Sequence, residues 1–170
     1  MVVNILKMEQ MLHYIIYKVG NLPHIGKTVL WKLMYFSDFN YYELYEKHLT
    51  GEQYRKLEHG PAPSNFDSAI EELINAKKIR LLKNKYHGHT QEKYLALDKP
   101  DTSELSKEEL RVIDKAIAKL SCFNASQISA LSHLDMPWKA TDDKRIINYE
   151  LVFYREPITS VREYNDDYNN

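Results

Sequence analysis

Near the start of the chain, Ile5, Met8, Leu12, Ile15 and Val19 fall at alternating three- and four-residue steps. That spacing draws one apolar stripe down a helix of roughly four turns, and Gly20, Asn21 and Pro23 stop it. From Lys27 to Tyr45 (KTVLWKLMYFSDFNYYELY) the stripe dissolves, because Val29, Leu30, Trp31, Leu33, Met34, Tyr35 and Phe36 cover nearly the whole circumference. A helix apolar all round belongs in the middle of a fold, so this segment is expected to be the hub. Among its few polar residues are Lys32 and Asp38, with Asp38 on the face of Trp31, Tyr35, Tyr42 and Tyr45. Lys32 and Asp38 stand about 240° apart around the helix and cannot pair within it. Each needs a partner from another element.

After a loop at 47–51 and a mixed stretch at 52–59 that periodicity does not assign, Gly60-Pro61-Ala62-Pro63 reads as a stiff corner. Ser64, with Asp67 three residues on, is expected to cap a helix carrying Phe66, Ala69, Ile70, Leu73 and Ile74. The runs 79–82 and 93–97, separated by the turn-rich 86–90, read as a hairpin. A helix followed by a hairpin has the outline of a winged helix. Ser106 and Glu109 form a capping box, with Leu105 and Leu110 as its staple, before a helix that buries Val112, Ile113, Ala116, Ile117 and Leu120. Asn124 with Gln127 repeats that logic for a helix to about His133, stopped by Pro137, and a short helix or strand is expected at 148–154. The expected architecture is mainly α (α+β): a single-domain helical bundle over residues 1–157 around a central buried helix, with a small β-hairpin. A polar, loose tail follows at 158–170, in which Tyr164 is a candidate partner contact that orders on binding.

Composition narrows the functional classes. A formal net charge of -1 and a pI near 6.7 give no whole-molecule footprint for a polyanion. The single cysteine, Cys122, excludes an intramolecular disulfide and favours a reducing compartment. Polar residues interrupt the N-terminal apolar run before it forms a signal peptide, and no stretch is long and apolar enough to span a membrane. A cytoplasmic location is the expectation. Thirteen tyrosines, each an apolar ring with a polar tip, suit half-wet interfaces and point to a protein partner.

Candidate chemistry is sparse. The stretch 20–28 has five residues between its glycines where a phosphate-binding loop needs four, and a helix rather than a strand precedes it. His87 and His89, with His59 elsewhere, lack the carboxylates or cysteines that would complete a metal set. Cys122, Asn124 and His133 are residue types of a Cys-His hydrolase, but a helix between them separates thiol from imidazole, and a buried structural cysteine is expected instead. Asp38 reads as a structural acceptor, since no second catalytic group is spaced to help it. No cofactor or metal is expected. The basic residues of 77–93, Lys83 and Lys85 foremost, could touch nucleic acid if the winged-helix outline holds, and a solvated hairpin or an acidic protein partner explains them equally well.

Three separated signatures read together: Lys32-Leu-Met-Tyr-Phe-Ser-Asp38; Leu49-Thr-Gly51 with Tyr54 and Gly60-Pro-Ala-Pro63; and His133 followed five residues later by Trp138. In order and spacing they resemble the Panacea domain, the SocA-like antitoxin family that also includes phage-associated proteins, over about residues 4–154. The resemblance implies a mostly helical domain that neutralises a cognate protein toxin, encoded beside it, by direct contact and without catalysis. The alternatives it leaves are repression of its own promoter and delivery of the toxin to a protease. The motif residues carried over are Lys32, Leu33, Tyr35, Phe36, Asp38, Gly60, Pro61, Pro63, His133 and Trp138, most of them as framework. Toxin identity, contact face and oligomeric state are not implied.

Overall fold

The computed structural model describes residues 2–163. Among them, seven helices and two antiparallel two-stranded hairpins make an α+β fold. Helix α1 (Ile5–Val19) buries four of the five stripe residues, Met8, Leu12, Ile15 and Val19, leaves Ile5 exposed in its first turn, and is capped by Asn4, which accepts from Lys7 N–H. Helix α2 (Lys27–Tyr45) buries 13 of its 19 residues and packs against α1, α4 (Lys107–Leu120), α5 (Ala125–His133), strand β2 (Gly60–Pro63) and the 3-10 helix Tyr149–Tyr154.

The stiff corner is instead strand β2, paired with β1 (Tyr54–Leu57) in the stretch that periodicity left unassigned. Two prolines fit because Ser64 N–H donates to Gln53 O at 2.9 Å. That parity puts Pro61 and Pro63 at the positions whose missing N–H would point away from β1. On its other edge β1 exchanges backbone bonds with 144–147. Ser64 is thereby committed to the strand and does not cap helix α3 (Phe66–Asn75). The α3 entrance is held by buried Glu52, which accepts from Asn65 N–H (2.9 Å) and Asn65 Nδ2 (2.8 Å).

Strands β3 (Ile79–Tyr86) and β4 (His89–Ala96) are longer than their apolar runs, because the hairpin closes on His87-Gly88 alone. Both turn residues have positive φ, 47° and 80°, as a tight type I′ turn demands. The Asn124/Gln127 capping box of α5 is complete. At α4 only half of it forms: Ser106 Oγ accepts from Glu109 N–H, while the Glu109 carboxylate turns to Lys7 Nζ at 2.9 Å. Pro137 opens the short helix α6 (Met136–Lys139) rather than merely ending α5. Cys122 is exposed, not buried as expected, since it falls in the α4–α5 turn past the last buried residue, Leu120. The segment from 158 is not loose over 158–162: Thr159 is buried, and Ser160 Oγ and Val161 N–H both donate to Glu43 on α2. Tyr164 and the rest of the expected tail lie outside the described residues.

Candidate functional site: a groove over Lys32 and a buried ionic frame

Lys32 points from α2 into β2, where its Nζ donates to Pro61 O at 3.2 Å. It is 1% exposed, makes no ion pair among the described residues, and burial pulls its pKa down to about 8. Its stem explains Gly60. A Cβ there would lie 2.4 Å from Ser132 Oγ and 2.5 Å from Lys32 Cε, so only glycine lets α2, β2 and α5 meet. His133 leaves α5 to stack on Trp138 with centroids 4.3 Å apart, and Trp138 Nε1 donates to Leu57 O at 3.2 Å. Lys56 Nζ lies 4.1 Å over the Trp138 ring. A groove of ≈ 720 Å³ opens here, lined by Trp31, Lys32, Lys56, Gly60, Trp138 and Lys144 among others. Among the described residues, the buried Nε1 of Trp31 and Nε2 of His133 have no hydrogen-bond partner.

The remaining motif residues look the other way. Leu33, Tyr35 and Phe36 are core, and Pro63 is buried opposite Tyr54. Asp38 is fully buried; Thr50 N–H (2.9 Å) and Thr50 Oγ1 (2.8 Å) donate to its Oδ1, and Tyr54 OH (2.5 Å) to its Oδ2. Burial raises its pKa to about 7 against the lowering effect of those donors. Tyr35 OH donates to Asp135 Oδ2 at 2.7 Å, and this leads to a group that pattern reasoning missed. Arg155 donates from Nε and Nη2 to the two Asp135 oxygens (2.8 and 2.9 Å) and from Nη1 to Asn40 and Glu43 (2.9 and 3.1 Å). All four are buried. A lone arginine closing the apolar run Leu151-Val-Phe-Tyr154 was the available signal.

The signatures from three distant stretches therefore meet on α2: one set around the Lys32 groove, the other as ionic and tyrosyl framework behind it. The family model described as Antitoxin SocA-like, Panacea domain, matches residues 30–139. The chain belongs to that family. The match is shorter than the span the motifs suggested, and it leaves α1 and Arg155 outside. No curated protein matches the chain, and no solved structure does.

In this Panacea domain the candidate nucleic-acid lysines lie far from the motif residues in role. Lys83 and Lys85 are exposed on β3, and Lys83 faces Glu92 across the ladder. Lys93 is not part of a basic surface, because its buried Nζ donates to the carbonyls of Leu22 and Ile25 in the α1–α2 connector. The tyrosine excess is partly spent inside: Tyr35, Tyr41, Tyr54, Tyr94 and Tyr149 are buried. Among the described residues no group of three metal-binding side chains occurs, and no helix is long and apolar enough to cross a membrane.

Proposed function

We propose that this protein is an antitoxin that neutralises a toxin encoded beside it by occupying the toxin's surface, transforming no substrate and acting in the cytoplasm. The observation that carries the reading is the family match over residues 30–139. The buried carboxylates support a binder: Asp38, Asp135 and Glu43 are each held by fixed donors as framework. Co-expression with the neighbouring reading frame tests it. Growth arrest by that gene alone, relieved by this protein, is expected; a harmless neighbour, or toxicity that this protein leaves unchanged, rejects it.

A winged-helix reading is weaker. Helix α3 precedes the β3–β4 hairpin, but its exposed face carries Asp67, Glu71 and Glu72, which repel a phosphate backbone where a recognition helix would dock. A promoter gel shift at low salt, abolished by Lys83→Glu with Lys85→Glu, would restore it.

A further inference from the structure

The groove beside Trp31 and Trp138 holds a positive charge that nothing described on the molecule neutralises. Lys32 Nζ has three donors and one hydrogen bond, to the neutral carbonyl of Pro61. The other charges of the lining do not relieve it: Lys56 Nζ lies 3.9 Å from Asp143, which leaves Lys144 and Glu58 on the rim. A buried ammonium without a counter-charge is costly, and here Gly60 is fixed as glycine to make room for it. A second donor of the lining, Trp31 Nε1, is also without a partner among the described residues. Two under-used donors beside two indoles, with Asp143 already drawn to Lys56, are the complement of a single carboxylate on an aliphatic stem. A polyanion fits less well, since Glu58 and Asp143 would repel the phosphates flanking the first.

We propose that the groove is the toxin-docking site, and that it takes a segment of the toxin presenting a single carboxylate, which pairs with the Lys32 ammonium while its stem lies against the indoles. The inference rests on the antitoxin reading, and the test separates the two. The probe is the purified product of the neighbouring reading frame. Lys32→Met keeps the stem and removes the charge; Lys83→Glu with Lys85→Glu alters a different face. The protein's two tryptophans both line the groove, so intrinsic emission reports its occupancy.

Calorimetry should show at least tenfold weaker binding for Lys32→Met, affinity within twofold of wild type for the hairpin variant, and a shift in wild-type emission on complex formation. Should Lys32→Met fail to fold, the rim variant Lys144→Glu takes its place, with a severalfold loss expected. A folded Lys32→Met of wild-type affinity, with emission unmoved, overturns the groove while wild-type rescue of growth leaves the antitoxin reading standing. Loss confined to the hairpin variant also overturns it, as does a promoter duplex, rather than the toxin, as the ligand that Lys32→Met releases. If the wild-type protein rescues nothing, both proposals fall.

Discussion

At Gly60 an added methyl group would have nowhere to go, with Ser132 Oγ and Lys32 Cε both inside 3 Å of it and φ at +111°. Gly60→Ala should therefore lower stability by about 3 kcal/mol in urea unfolding; a near-wild-type midpoint would show that both neighbours can yield. Lys32 and Asp38 pull on stability in separate pH windows. Asp38 keeps its proton to about pH 7 when folded, but only to about 3.8 when unfolded. Between those values the folded state holds the extra proton, so this group's contribution falls as pH rises. Lys32 titrates near 8 folded and 10.5 unfolded. There the unfolded state holds the extra proton, and stability rises across the interval. Lys32→Met should abolish that rise and, at pH 7, stabilise the fold by on the order of 2 kcal/mol, measured by urea titrations at pH 7 and 9.5; a loss of stability would show that the charge is well solvated where it sits. That both residues need partners from other elements was legible from their angular separation on α2. Which carbonyl and which tyrosine would answer was not, because those come from β1, β2 and the loop before them, where the sequence has no period.

Among the elements, helices α1 to α5 were legible to within a residue or two and the β3–β4 hairpin in outline, whereas β1, β2 and α6 were not. Amphipathic helices announce themselves by a repeat that needs no knowledge of the neighbours, whereas β2 is two prolines whose pairing depends on a partner strand and on the parity set by Ser64. The caps give a direct comparison. Asn124→Ala removes the side-chain acceptor of Gln127 N–H and should cost about 1 kcal/mol. Ser64→Ala, at the cap that sequence logic assigned and the fold did not use, should stay within about 0.5 kcal/mol of wild type. Chemical denaturation of both variants decides it, and equal losses would mean that Ser64 contributes to α3 after all.

On the scale of the whole molecule, Arg155 ties the end of the chain to its middle. It joins the α5–α6 junction through Asp135 to α2 through Glu43, and Glu43 in turn receives Ser160 and Val161. Truncation after Pro157 leaves part of the buried Glu43 carboxylate without donors. It should lower stability by about 2 kcal/mol, about 4 to 8 °C in Tm; an unchanged melting curve would mean that 158–162 merely rest on the surface. This joint could not be read from the chain because its members are far apart in sequence and each, taken alone, is an ordinary charge. Their separation also has a temporal side. Glu43 precedes Arg155 by 112 residues, so on a translating ribosome the helix that carries it waits roughly 6 to 20 s for its counter-ion to be polymerised. The joint stays ajar for that interval, and the Glu43 carboxylate keeps its water until the Arg155 guanidinium arrives to displace it.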